Sequence, residues 1–148
     1  MLFYVIAILV IVADQLSKYL IRTYIDINEA FTLWGIQLTH IENSGMAGSL
    51  FQGYGRLFGV VAVLFVIGVF YFRSTEEMKG ALIDSSLGFL VGGAIGNGID
   101  RLLFGQVTDF IIRSGGVLNL ADHALEMGVF LLIIYGVVSW LKKVRKNL

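Results

Sequence analysis

The chain has 148 residues, of which 57% are hydrophobic and only 15% are charged, and its formal net charge is zero. Soluble domains are less apolar and about 25% charged, so this composition, with a mean hydropathy of +0.81, indicates a protein whose solvent is lipid. Zero net charge argues against a nucleic-acid partner, and the absence of Cys excludes disulfides and thiolate catalysis.

Four charge-free runs predict four transmembrane helices, each completed by polar neighbours to the roughly 20 residues that cross a bilayer. We expect these helices over about residues 1–22, 56–73, 80–101 and 122–141, and an outer β region over about 31–53. The chain is then a single membrane-embedded domain, residues 1–148. The alternative, a very apolar soluble bundle, would have to bury all four runs against one another.

Lys and Arg are concentrated in two places, the tail at 142–148 and the short connection at 73–79. Cytoplasmic segments carry an excess of these residues, so we expect both termini to be cytoplasmic and the two longer connections to be outside. The predicted fold is an all-α membrane protein: a four-transmembrane-helix bundle with a small extracytoplasmic sheet.

The first helix carries three charged residues at helical spacing: Asp14, Lys18 and Arg22. Residues four apart lie on one face of a helix, so Asp14 and Lys18 can neutralise each other. An ionisable group at membrane depth is by default a functional candidate. The alternative for Lys18 and Arg22 is pairing at the helix end, and for Asp14 we expect a contact that braces the interior of the bundle.

The third helix has Gly88, Gly92 and Gly96 at every fourth position, a spacing that lets another helix backbone approach closely. An unusual polar set follows this pattern. It comprises three carboxylates, two amides and a guanidinium at one outer interface: Asn97, Asp100, Arg101, Asp109, Asn119 and Asp122.

Two carboxylates that share one proton can hydrolyse an amide without a metal or a covalent intermediate. Asp109 and Asp122 are the natural pair, because a hairpin turn at 115–116 would place them directly opposite each other. A metal site built from Asp residues is an alternative, although carboxylates alone select no particular metal. His40 and His123 lie in no recognisable nucleophile motif, which disfavours a Ser–His–Asp triad.

Four blocks resemble, in order along the chain, the motifs of the lipoprotein signal peptidase family, the bacterial type II signal peptidases. The blocks are ADQLSKYLI, THIENSGMAGSLF, GGAIGNGIDRLLFGQVTDF and LNLAD. The resemblance implies an intramembrane aspartyl endopeptidase of four helices and an outer β-cradle, with both termini cytoplasmic. It also implies that Asp109 and Asp122 are catalytic and that the enzyme needs no metal or other cofactor.

The resemblance further implies the reaction: removal of the signal peptide from diacylglyceryl-modified prolipoproteins by cleavage before the lipidated Cys. The expected location is the bacterial inner membrane, with the active site at the extracytoplasmic face, and the expected partners are the precursor and membrane lipids. We expect a monomer. Residues implied to bind substrate or support the site are Asp14, Lys18, Asn43, Gly45, Asn97, Asp100, Arg101 and Asn119.

The sequence departs from the family pattern in two places. Gly48, within Ala47-Gly48-Ser49, replaces an aromatic residue, and only nine residues separate Asp109 from Asn119, where the family usually has room for a short helix over the site. The site is therefore expected to be more open. Two alternatives stay in view: a non-enzymatic four-helix protein, such as a small transporter or an assembly factor with bracing carboxylates, and an intact but inactive relative.

Overall fold

Long apolar runs form the helices of this protein, and the two β-rich connections between them form a sheet at one end. The computed structural model describes residues 1–46, 50–75 and 80–146. The described residues form four helices, α1 (Leu2–Tyr24), α2 (Gly55–Thr75), α3 (Ala81–Phe104) and α4 (Leu120–Lys146). They also form four strands, β1 (Ala30–Leu33), β2 (Ile36–Asn43), β3 (Val107–Arg113) and β4 (Gly116–Leu118).

All four of these helices are long and apolar enough to cross a membrane, which confirms the predicted bundle. Each runs somewhat further than its charge-free stretch, and α4 differs most because it continues through the basic tail to Lys146. Lys and Arg are good helix formers, and their charge is favourable at a helix C-terminus. The tail therefore extends the helix instead of ending it.

Helix α3 is the centre of the bundle, because it packs against the other three helices and is buried over most of its length. Its glycines make this possible. A Cβ atom at Gly93 would lie 2.5 Å from the Ala121 carbonyl oxygen of α4, and one at Gly96 would lie 2.6 Å from Oδ2 of Asp14 on α1. The predicted role of the glycine repeat in close helix packing agrees with these distances.

The sheet is antiparallel throughout, with strand order β1-β2-β3-β4. It therefore combines both connections at this end of the bundle. Strands β1 and β2 fall in or beside the predicted β region at about 31–53, and β3 and β4 form a hairpin in the second connection, where the sequence also predicts a hairpin. The expected turn at 115–116 is wrong. Arg113 pairs with Gly116 and Ile111 with Leu118, so the turn is formed by Ser114 and Gly115, and Asp122 lies in α4, outside the hairpin.

Candidate active site

Asp109 and Asp122 meet at the end of the bundle that carries the sheet, and Asn119 joins them. Asp109 lies in β3 and Asp122 in the first turn of α4. The Asn119 side-chain amide donates to Oδ1 of Asp109 at 2.7 Å, and the Asn119 backbone N–H donates to Oδ2 of Asp122 at 3.1 Å. One residue thus fixes both carboxyl groups relative to each other.

The local geometry around Asp122 is that of a helix cap. The Asn119 side-chain oxygen accepts from the Asp122 backbone N–H at 3.0 Å while the Asp122 carboxylate accepts from the Asn119 N–H. This reciprocal pair is a capping box with Asp in the third helical position. The positive end of the helix dipole also favours a carboxylate there, so the start of α4 explains where Asp122 is held.

Asn43 holds the second oxygen of Asp109 from strand β2. Its side-chain amide donates to Oδ2 of Asp109 at 3.0 Å, and its own oxygen accepts from the Gly45 backbone N–H at 2.9 Å. The pairing of β2 with β3 sets this contact, since Asn43 lies opposite Val107 and Ile41 opposite Asp109. Asp109 is therefore clamped between two amides, one from the sheet and one from the start of α4.

The surroundings of Asp109 favour its protonated form. Burial raises the pKa of the Asp109 carboxyl to about 6, and the nearby charge of Asp122 acts in the same direction. The hydrogen bonds from Asn43 and Asn119 oppose the rise because they stabilise the ionised form. A carboxyl group with such a pKa beside a second carboxylate suits general acid–base chemistry.

A buried ion network supports Asp122 from within the bundle. The Lys18 ammonium lies 2.8 Å from Oδ2 of Asp14, 2.9 Å from Oδ2 of Asp100 and 2.9 Å from the side-chain oxygen of Asn97. Asn97 in turn donates to Oδ1 of Asp122 at 2.8 Å. Lys18, Asp14 and Asp100 are fully buried, so the predicted pairing of Asp14 with Lys18 is an interior contact and not a helix-end pair.

Asp14 also links α1 directly to the start of α4. Its Oδ1 atom accepts from the backbone N–H of Ala121 at 2.9 Å, which is one of the N–H groups that a helix leaves without an internal partner. The network therefore braces the helix turn that carries Asp122.

Arg101 is close enough to Asp100, Asp109 and Asp122 for their charges to interact with its own. Its guanidinium donates to the Gly45 carbonyl oxygen at 3.4 Å and lies 5.9 Å from the centre of the Phe58 ring. Arg101 thereby ties α3 to α2 and to the segment after β2.

A groove of about 430 Å³ opens beside Asp122 between α2, α3 and α4. Its polar lining is confined to the end near the pair, and the rest is apolar: Met46, Phe58, Val61, Ala62, Phe65, Leu90, Ala94, Leu125 and Val129, with Asn97, Arg101 and Asp122 at the polar end. An apolar groove that ends at carboxyl groups suits a membrane helix whose reactive bond lies at its end.

The structure brings every predicted site residue into this one region. It also adds residues that the sequence analysis did not assign to the site. Arg22 lies 3.4 Å from Asp100 and donates to Thr108, Thr108 donates to Glu42, and Glu42 pairs with His40. Arg22 has a sequence signal, its helical spacing from Asp14 and Lys18. Glu42 and Thr108 have only adjacency, since they precede Asn43 and Asp109. The substitution at 47–49 lies outside the described residues.

Comparison with known protein families gives a match over most of the chain. The model that describes signal peptidase (SPase) II matches residues 6–138. The lipoprotein signal peptidase of Moorella thermoacetica is 41% identical over 133 residues, which cover 88% of this chain and 89% of the relative. That of Halalkalibacterium halodurans is 33% identical over 141 residues, 90% of each chain.

Two solved structures share the fold. Both are described as bacterial membrane enzymes determined by the in meso method, at 2.3 Å and 1.9 Å resolution. The first superposes with a TM-score of 0.89 at 30% identity, covering 95% of this chain and 90% of that one. The second gives a TM-score of 0.81 at 31% identity, with 90% of each chain covered.

Proposed function

The chain belongs to the signal peptidase II family of lipoprotein signal peptidases, and we propose that Asp109 and Asp122 are its catalytic pair. The observation that carries this proposal is the bridge through Asn119, which bonds to both carboxyl groups at 2.7 Å and 3.1 Å. Membership of an aspartic peptidase family also argues against the non-enzymatic transporter or assembly factor.

The proposed reaction needs one protonated and one ionised carboxyl group. Asp109 is the proposed acid, because burial raises its pKa to about 6 and it is mostly protonated below that pH. It donates its proton to the oxygen of the scissile carbonyl. Asp122 takes a proton from the attacking water, whose oxygen bonds to the carbonyl carbon. When the resulting tetrahedral species collapses, the C–N bond breaks and the leaving nitrogen receives a proton from the pair.

The proposed substrate is a prolipoprotein with a diacylglyceryl-modified Cys, cut on the amino side of that Cys. Its signal peptide is an apolar helix that fits the groove along α2, α3 and α4, while its acyl chains stay in lipid. The pair then faces the outer side of a bacterial inner membrane, and both termini are cytoplasmic, as the basic tail favours. The enzyme acts as a monomer without metal or cofactor.

The remaining site residues have distinct proposed roles. Asn43 and Asn119 orient Asp109, and Asn97 orients Asp122 from the Lys18 network that Asp14 and Asp100 complete. Arg101 and Gly45 shape the polar end of the groove, where backbone groups of the substrate would lie.

A matched pair of precursors tests the function. We expect the purified enzyme in proteoliposomes to cut a diacylglyceryl-modified precursor and to leave its unlipidated twin intact, because only the lipidated peptide is held with its scissile bond at the bilayer boundary. Equal cutting of both would contradict the proposed substrate class. Binding of the lipidated precursor without cutting would identify an inactive relative.

The proposed protonation state predicts the pH dependence of activity. Because the Asp109 pKa is raised to about 6, the acid form is lost as the pH rises through that value. We expect kcat/KM, which reports the free enzyme, to decline above about pH 6 and then by roughly tenfold for each pH unit. The pKa read from this profile describes the two carboxyl groups together, because they interact.

The control for this profile is the thermal unfolding temperature of the protein over the same pH range. We expect this temperature to stay unchanged in the pH range where activity falls. A kcat/KM that increases between pH 6 and pH 8 would contradict the assignment of the resting proton to Asp109.

A further inference from the structure

A row of apolar side chains crosses the side of the sheet that carries Asp109. Side chains alternate between the two faces of a strand, and directly paired residues share a face. Asp109 and Ile111 therefore lie on one side of β3. Ile111 pairs with Leu38 and with Leu118, and Leu38 pairs with Phe31. These four half-buried side chains, Phe31, Leu38, Ile111 and Leu118, form an apolar row that crosses all four strands.

The apolar surface continues to the end of the β1–β2 hairpin. The last pair before the turn is Leu33 opposite Ile36, and alternation places both on the same side as Phe31 and Leu38. They are 45% and 54% exposed, and Trp34 in the turn is 93% exposed. We refer to Leu33, Trp34 and Ile36 as the hairpin tip.

The backbone of the tip is an unusual place for tryptophan. Trp34 and Gly35 have φ angles of 50° and 82°, the left-handed values that a two-residue type I′ turn requires and that Asn-Gly satisfies best. A bulky residue with positive φ is an outlier. Here the Trp34 ring is almost wholly exposed, so burial within the described part of the chain does not compensate for the disfavoured conformation.

The hairpin also lacks the usual protection of an exposed sheet edge. Strand β1 is an edge strand, and residues 30–38 contain no charged side chain and no proline. Exposed edge strands in water usually carry charges or proline that prevent association with other strands. An uncharged, apolar hairpin with an exposed tryptophan is therefore suited to an environment other than bulk water.

The position of the hairpin identifies that environment. Only residues 25–29 separate β1 from the end of α1, a membrane-spanning helix whose last turns expose Leu20 and Tyr24 on the lipid-facing surface. The hairpin therefore follows closely, along the chain, the end of α1 that lies on the same side of the bundle as the sheet. Tryptophan concentrates at the membrane–water interface, where one part of the ring is in an apolar medium and its N–H is hydrated.

We propose that the β1–β2 hairpin is a membrane-interface anchor whose tip inserts among the lipid headgroups and the upper acyl chains. The same strand that starts at the tip ends at Asn43, which bonds to Asp109. Anchoring the tip therefore holds the Asp109 side of the sheet against the bilayer surface.

Tryptophan fluorescence in lipid nanodiscs tests the anchor, because the chain has only two tryptophans. The Trp140→Phe variant leaves Trp34 as the only one. We expect Trp34 emission to be quenched strongly by phosphatidylcholine brominated near the headgroup, less by lipid brominated near the chain ends, and little by iodide in the water. Nanodiscs expose both membrane sides, so orientation does not affect iodide access.

The matched control moves the tryptophan to the other face of the same hairpin. Gln37 is exposed and lies beyond the turn on the polar side, opposite Thr32. In the Trp34→Phe, Gln37→Trp, Trp140→Phe variant we expect weaker quenching by brominated lipid and stronger quenching by iodide. Two results would overturn the anchor. The first is quenching of Trp34 by iodide but not by brominated lipid, which would place the ring in water. The second is quenching by neither, which would indicate that a protein partner covers the ring.

Discussion

Replacing Asp109 by Asn is expected to lower kcat/KM for a lipidated precursor by roughly 10²- to 10⁴-fold, the range that general acid–base groups contribute. Asn has nearly the shape of Asp but carries no transferable proton at this site, so the carbonyl oxygen loses its acid. The same loss is expected for Asp122→Asn, which removes the base that takes a proton from water. The measurement is initial cleavage rate of a diacylglyceryl-modified precursor in proteoliposomes.

The matched control for both variants is Asp26→Asn, which makes the same chemical change at an exposed position in the connection after α1. We expect it to cleave at the wild-type rate. In each active-site variant the new amide NH2 must face an N–H donor that the lost carboxylate oxygen accepted from, which costs about 1–3 kcal/mol. Thermal unfolding should therefore show a modestly lower unfolding temperature for these two variants, an unchanged one for Asp26→Asn, and a folded protein in all three. Wild-type turnover by either active-site variant would remove that residue from the catalytic pair.

Replacing Lys18 by Met is expected to cost about 3–5 kcal/mol of stability, the usual effect of removing one partner from a buried ion pair. Lys18 is fully buried between Asp14 and Asp100, at 2.8 Å and 2.9 Å. Without the ammonium group both carboxylates would lack their nearest cation in a region that excludes water. Asn97 would also lose the contact through which it positions Asp122, so activity should fall with stability.

Thermal unfolding in detergent measures this effect, and Lys142→Met is the control, because Lys142 is exposed near the end of α4. A large drop in the unfolding temperature for Lys18→Met alone is the expected result. If the two variants unfold at the same temperature, Lys18 is not the centre of a structural ion network, and the support proposed for Asp122 would have to come from elsewhere.

Helical spacing is enough to predict the contacts that stay within one helix. Asp14 and Lys18 are four residues apart in α1, and they pair as that spacing requires. The contact of Lys18 with Asp100 joins α1 to α3, and no periodic pattern in the sequence specifies it. Only the resemblance to the signal peptidase II motifs places these residues in one site before the structure is known.

The meeting of the two aspartates was predicted for the wrong geometric reason. The expected turn at 115–116 would pair them across a hairpin, but the turn uses Ser114 and Gly115 and the hairpin ends at Leu118. Helix α4 begins two residues later, and Asn119 caps it. Cap formation at Asn119 therefore competes successfully with further strand pairing, and the cap determines where Asp122 lies.

The polar contacts behind the site show a further limit of the sequence. His40, Glu42 and Thr108 belong to strands whose partner and register depend on the whole sheet, including a shift between Leu38 and Ile41. A shift of one residue in register moves every side chain to the other face of a strand. The link of His40, Glu42 and Thr108 to Arg22 therefore could not be derived from the local sequence pattern alone.

The most direct test of the account is to compare the Asp109→Asn, Asp122→Asn double variant with each single variant under the same conditions. Residues that act as one catalytic unit have strongly non-additive effects. The account predicts that the double variant cleaves the lipidated precursor no more slowly than the slower single variant. If the two single losses instead multiply in the double variant, the aspartates act independently, and the claim that they share one proton and one water would be contradicted.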